Sequence, residues 1–123
     1  MANVLSVATD LMFTSKISGT ARAVGLTAAT VSNLAALRAA LASGDVKVVF
    51  VDMSMPTEIT CDAIAASREV ATTIAFYSHV QTQLREAAES AGAHEVMPRS
   101  RFVTELPEML ERIAKTSEKA RDE

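Results

Sequence analysis

Three residues able to do chemistry recur in step along this chain: Asp52, Ser78 and Arg99, separated by 26 and 21 residues. Each interval is about one strand-plus-helix unit long, so successive units can present the three to a single crevice. Asp10 stands one such unit or more ahead of them. A carboxylate at 52 can serve as nucleophile or anion, a hydroxyl at 78 can hydrogen-bond an oxyanion, and a guanidinium at 99 can pair bidentately with a carboxylate or phosphoryl group. Blander roles compete. Asp52 could be a turn or cap residue, Asp10 the cap of a first helix, and Ser78 the cap of a fourth.

The segment 48–56, VVFVDMSMP, shows how one of these groups must be delivered. Val48-Val49-Phe50-Val51 is too short for a helix and too apolar for a half-exposed strand, which suits the buried middle of a parallel sheet. Asp52 then lies at the strand's carboxyl end, where open α/β sheets place their chemistry. Pro56 stops the strand and turns the chain toward a helix.

The other elements alternate in the same way. Strands are predicted at Asn3–Val7, Leu26–Val31, Val46–Val51, Thr72–Tyr77 and His94–Met97. Between them, Phe13, Ile17, Ala21 and Val24 make one helical face, ended by Gly25. Leu34, Leu37 and Leu41 make a second, capped by Ser32 or Asn33 and ended near Gly44. Cys61, Ile64 and Ala65 weakly mark a third, capped by Thr57 or Thr60. Val80, Leu84, Ala87 or Ala88, and Ala91 mark a fourth, closed by Gly92. Phe102, Leu106, Met109, Leu110 and Ile113 mark a fifth, in which Pro107 is tolerable only near the first turn. The sum is (βα)5: a three-layer doubly wound α/β domain with right-handed crossovers. It spans 1–114, with 115–123 as a charged, frayed tail.

Composition narrows the function. A chain of 123 residues with 49% hydrophobic and 22% charged content fits one globular domain. A net charge of −3 leaves no basic stripe for nucleic acid. No stretch approaches the ~20 apolar residues of a membrane span, and the N-terminus lacks a secretory pattern; a cytoplasmic protein is expected. Cys61 is alone, which excludes an internal disulfide or a cysteine zinc cage, and it reads as a structural thiol. Met53 and Met55 read as packing and His94 as a surface residue. A Ser-His-Asp hydrolase built on Ser78, His79 and Asp52 lacks the G-x-S-x-G context. ATDLMFTSK after the first strand contains no glycine, so neither a dinucleotide fingerprint nor a Walker loop is present. Thr9, Thr14 and Ser15 offer a flavin phosphate only scattered hydroxyls, which keeps a small flavodoxin-like cofactor binder or enzyme as a remote alternative.

With these residues in view, the chain resembles the receiver domains of bacterial response regulators, the family of the chemotaxis signalling protein. The resemblance spans essentially the whole sequence and is strongest in DMSMP, where Asp52, Met55 and Pro56 match the family's pattern. FYSHV supplies the fourth-strand hydroxyl at Ser78, and AGAHEVMPRS places Arg99 where the family keeps lysine. The resemblance implies a sheet order of 2-1-3-4-5, with the first and fifth helices on one face and the other three opposite. It further implies Asp52 as phosphoacceptor, and Ser78 and Arg99 as phosphoryl-binding groups. A protein partner would dock on the fourth helix, fifth strand and fifth helix; a histidine kinase and a second copy of the chain are the partner classes, and no enzymatic activity is expected.

The departures are equally specific. The family's pair of Mg²⁺-binding acids falls on Ala8 and Thr9, with Asp10 one residue late, so Mg²⁺ is expected only if Asp10 reaches the pocket. Thr60 replaces a turn glycine, Ser100 replaces the proline after the basic residue, and Val96 takes the aromatic switch position. Asp10, Asp52 and Arg99 sum to −1, removing much of the electrostatic reason for a divalent ion. The reading is a receiver-like protein, degenerate at the acid pair, that signals through protein contacts with phosphorylation of Asp52 weak or lost. A working Mg²⁺-dependent phosphoacceptor in a phosphorelay is the main alternative.

Overall fold

A computed structural model describes residues 2–78 and 81–122, with side chains described as far as 116. Its elements run β1 (Val4–Val7), α1 (Leu11–Ala23), β2 (Ala28–Val31), α2 (Leu34–Leu41), β3 (Val48–Asp52), α3 (Thr57–Ser67), β4 (Thr72–Tyr77), α4 (Thr82–Ala91), β5 (Glu95–Pro98) and α5 (Arg99–Asp122). The strands form one sheet in the order β2-β1-β3-β4-β5, and every pairing is parallel. This is the doubly wound (βα)5 architecture expected from the alternation.

Period-two side-chain alternation splits the core. On one face Val4, Val48, Phe50, Ile74, Phe76 and Met97 pack with Ile17 and Ala21 of α1 and with Phe102, Leu106, Met109 and Leu110 of α5. On the other, Leu5, Val7, Val49, Val51, Ala75 and Tyr77 pack with Leu37 and Leu41 of α2, Ala63 and Ile64 of α3, and Ala88 of α4. The three central strands, β1, β3 and β4, are buried almost throughout, so apolar content is continuous along them rather than alternating. All four phenylalanines of the chain gather on the α1/α5 face. Phe102 stands 4.4 Å from Phe76, 4.9 Å from Phe50 and 5.6 Å from Phe13, centroid to centroid.

Several boundaries differ from expectation, each for a local reason. β2 pairs only from Ala28; Leu26 is buried but precedes the ladder. β3 begins at Val48 and includes Asp52, which pairs opposite Phe76. β5 is shifted one residue, to Glu95–Pro98; Pro98 is tolerated because β5 is an edge strand. His94 is exposed, as expected of a surface residue, and it also ties this edge: its backbone N–H donates to the Thr73 carbonyl at 2.8 Å. Its Nδ1 accepts the Thr73 backbone N–H at 2.9 Å.

Neither Thr57 nor Thr60 caps α3. The helix starts after Pro56 without a side-chain cap, while the Thr60 hydroxyl donates to the Thr57 carbonyl within the first turn. The buried face of α3 is Thr60, Ala63, Ile64 and Ser67; Ala65 is exposed and Cys61 half-buried. Asn33 rather than Ser32 caps α2, accepting from the Ala36 N–H at 2.8 Å. Gly25 (φ +83°) follows α1 and Gly92 (φ +100°) caps α4, both in the left-handed region that glycine enters without strain. Val80 and His79 lie outside the described residues.

The largest difference is α5. It starts at Arg99, runs through Pro107 and continues to Asp122, so backbone expected as a frayed tail from 115 is helical. Pro107 sits two turns inside, on the exposed face, and deprives the Val103 carbonyl of its i+4 donor. Pro107→Ala should therefore raise stability by about 1–3 kcal/mol without touching the core. Phe102→Ala, which empties the centre of the aromatic cluster, should lower it by about 3–5 kcal/mol. Urea unfolding of the two variants reads both signs.

Candidate functional site

The alternation that sends Val48 and Phe50 toward α1 and α5 sends Asp52, two residues on, to the same side at the sheet's carboxyl edge. The amino ends of α1 and α5 open there, bringing Asp10 and Arg99. Asp52 is a buried carboxylate, 3% exposed, and both its oxygens are engaged. Oδ1 accepts from the Ser54 backbone N–H at 2.9 Å and from the Ser54 hydroxyl at 2.7 Å. Oδ2 accepts from Arg99 Nη2 at 3.2 Å. The same nitrogen lies 3.8 Å from Asp10 Oδ2.

Asp10 is the N-cap of α1. Its Oδ1 accepts from the Met12 and Phe13 backbone N–H groups at 3.0 and 3.2 Å, satisfying donors that the first turn leaves free and placing negative charge at the positive end of the helix. Arg99 has the opposite problem. It is the first residue of α5, where the helix dipole disfavours a cation by about 0.3–1 kcal/mol. Two carboxylates and an aromatic face offset this: its guanidinium carbon lies 4.6 Å from the Phe13 ring centroid and 5.8 Å from that of Phe76. A cation on an aromatic face in a partly desolvated setting is stabilised by about 1–2 kcal/mol.

The structure thus brings together Asp52, Arg99 and Asp10. Ser78 is half-buried just past the end of β4, and its side chain forms no hydrogen bond with Asp52 or Arg99. It does not cap α4 either: Gln81 occupies that position, and the Ser78 carbonyl accepts the Gln81 N–H at 2.9 Å. Two contributors escaped the sequence reading. Ser54 had a detectable signal, since Asp-x-Ser is a turn in which a carboxylate accepts from the backbone two residues on. Phe13 was legible only as part of a buried helical stripe; nothing local announces that its ring meets a guanidinium 86 residues away.

A divalent cation fits this donor set poorly. Mg²⁺ requires octahedral oxygen coordination. Here one oxygen of each carboxylate is committed to N–H or O–H donors, and the two remaining oxygens face a single guanidinium nitrogen. Ala8 is buried with no ligating atom in its side chain, and Thr9 is exposed. Among the described residues no group of three or more His, Cys, Asp or Glu is arranged to hold a metal.

The Asp52–Arg99 pair can be weighed by a double-mutant cycle. The Arg99 side chain is 41% exposed and that of Asp52 4%, so the pair has a desolvated acid and a partly hydrated base. Arg99→Met strands the acid and should cost about 1–3 kcal/mol, below the range for a fully buried pair. Combining it with Asp52→Asn should recover about half of that loss, because the amide no longer needs a cation. Additive losses in urea unfolding would count against a direct interaction.

No protein-family model matches the chain, and no curated protein matches it. Its architecture, however, recurs widely among solved structures. It superposes on a response regulator from Thermotoga maritima with a TM-score of 0.72 at 18% identity, covering 91% of this chain and 96% of that one. The beryllofluoride-activated NtrC4 receiver domain dimer gives 0.69 at 21% identity, covering 92% and 99%. HP1043, an orphan response regulator of H. pylori, gives 0.69 at 13%, covering 90% and 94%. The strand order, the element count and these superpositions agree: the fold is that of a response-regulator receiver domain.

Proposed function

We propose that this chain is a receiver-like signal-transduction module that acts, without enzymatic activity, through protein–protein contact, with Asp52 at the phosphoacceptor position and its phosphorylation weak or lost. The observation that carries the reading is the Arg99 guanidinium lying between Asp52 and Asp10 where the acid pair of the resembled family is replaced by Ala8 and Thr9. Phosphoryl transfer to a carboxylate requires neutralisation of the equatorial oxygens as charge develops. Arg99 would have to leave Asp52 in order to do that for a phosphoryl group on Asp52, and Ser78 would have to supply a second donor.

The Mg²⁺-dependent phosphoacceptor stays as a second reading because Asp52 retains the required place. It stands at the carboxyl end of β3, with Oδ2 turned to a cation rather than to the core. A cofactor enzyme gains no support from the cavity lined by Lys47, Thr72, Ile74, Glu95, Met109 and Arg112, which lies at the opposite edge of the sheet from Asp52. No helix among the described residues is long and apolar enough to cross a membrane.

A partner on α4, β5 and α5 would meet a charged surface. Arg85 and Glu89 pair at 3.0 Å on α4, Glu95 is exposed on β5, and Arg101 pairs with Glu105 on α5. The Glu105 carboxylate, by hydrogen bond and charge, raises the Arg101 pKa, with Glu95 adding to it. Such a face selects its partner by charge pattern more than by apolar area.

Acetyl phosphate with and without Mg²⁺, followed by intact mass, tests the first half of the proposal. Labelling should be at least about 100-fold slower than in a receiver with an intact acid pair, the scale lost when a main source of transition-state charge stabilisation is missing. Rapid, stoichiometric, Mg²⁺-dependent labelling would overturn it in favour of the second reading. In cells, Asp52→Asn should leave signalling and partner capture intact while Arg101→Glu abolishes both. Loss of signalling from a well-folded Asp52→Asn protein would point back to a phosphorylated switch.

A further inference from the structure

The Phe13 ring is itself fixed. It packs at 4.8 Å from Phe76 and 5.6 Å from Phe102, so it cannot turn without parting from the aromatic cluster. The Arg99 guanidinium carbon lies over this ring, 4.6 Å from its centroid. The guanidinium is thereby confined on two sides, by a ring and by two carboxylate oxygens at 3.2 and 3.8 Å. A planar guanidinium can stack on the ring while its N–H groups meet the carboxylates, whereas a lysine ammonium is a compact point charge that gains less from the stacked geometry.

We propose that Phe13 is the positioning residue that holds the Arg99 guanidinium between Asp52 and Asp10, and that this makes Arg99 the pocket's resident counter-ion in place of a divalent cation. A metal ion entering the crevice must displace a cation that is tied to the chain and present at high effective concentration. It must do so with only two free carboxylate oxygens to gain, since the others already accept from Ser54 and from the Met12 and Phe13 amides. A hard ion that prefers six oxygens gains too little from that exchange. The inference deepens the reading of Asp52 as the pocket's central acid and rests on it, but it concerns which cation fills the pocket, not whether the protein signals.

The test uses the full chain and reads the guanidinium directly. In proton–nitrogen NMR spectra, the Arg99 Nε–H resonance of the wild type should be displaced upfield by the Phe13 ring. Millimolar Mg²⁺ should leave the backbone amides of Asp10, Asp52 and Met53 unshifted. Phe13→Leu keeps apolar packing but removes the ring: the upfield displacement should vanish and saturable Mg²⁺-induced shifts should appear at those amides. Phe13→Tyr, which keeps the ring face, should restore both wild-type behaviours, a rescue that a purely space-filling role would not require. Arg99→Lys leaves the aromatic cluster whole and should also admit Mg²⁺, which keeps the inference testable if Phe13→Leu does not fold. Saturable Mg²⁺ binding by the wild type, an unchanged Arg99 resonance in Phe13→Leu, or Mg²⁺ indifference in Arg99→Lys would each overturn it. Slow labelling by acetyl phosphate bears on the proposed function and leaves these outcomes untouched.

Discussion

The buried carboxylate of Asp52 is the constraint to which the carboxyl edge of the sheet answers. An anion at 3% exposure in low-dielectric surroundings is costly unless paired and hydrogen-bonded. Three donors meet it: the Ser54 amide, the Ser54 hydroxyl and Arg99. The first two come from the turn that follows β3 and cost no long-range ordering. The third comes from the start of α5, so satisfying Asp52 pins α5 to the centre of the sheet. Because Arg99 also faces Asp10 and Phe13, the same charge ties in the start of α1. One ion pair thereby links the carboxyl ends of β1, β3 and β5.

Helix polarity explains why the link is asymmetric. Asp10 sits favourably at the positive end of α1 and would be stabilised there without any cation. Arg99 sits unfavourably at the positive end of α5 and depends on its partners. The longer contact to Asp10, 3.8 Å against 3.2 Å to Asp52, fits this ordering: Asp10 is primarily a cap and secondarily a charge partner. The more exposed carboxylate contributes less, since solvent screens it.

The sheet was legible in the sequence because its signals are redundant. Apolar strands, helical stripes and breakers such as Gly92 and Pro56 agree in one frame, and the order β2-β1-β3-β4-β5 followed from receiver-like spacing. The encounter of Asp52 with Arg99 was legible too, since both fall at the carboxyl ends of strands, β3 and β5, of one parallel sheet. What failed was local. Thr57 and Thr60 look like caps in composition, yet Pro56 already supplies the helix entry with its fixed φ. Pro107 looks like a helix breaker, yet α5 buries Phe102, Leu106, Met109 and Leu110 on one face, and that burial, at about 1.5–3 kcal/mol per large side chain, outweighs a lost backbone hydrogen bond. Phe13 shows a different limit. Periodicity reports that a side chain faces inward, not which group from a distant element it meets.

The same energetics bear on switching. A two-state signalling domain needs an effector whose preference for one state is about 5.5 kcal/mol to carry it from a 1:99 to a 99:1 population. On the proposed reading, a phosphoryl group on Asp52 would have to draw Arg99 away from contacts it already makes with Asp10 and Phe13, and its net gain is only the surplus over those. A metal ion adds charge to such a site without taking any away from the resting state; a resident arginine cannot, because it is already engaged there. On that reading, an acid pocket closed by its own cation would favour one conformation over alternation between two. A partner reading α4, β5 and α5 would then meet the same surface at all times, and control would rest with the amount of this protein or with the partner, not with the chemistry of Asp52.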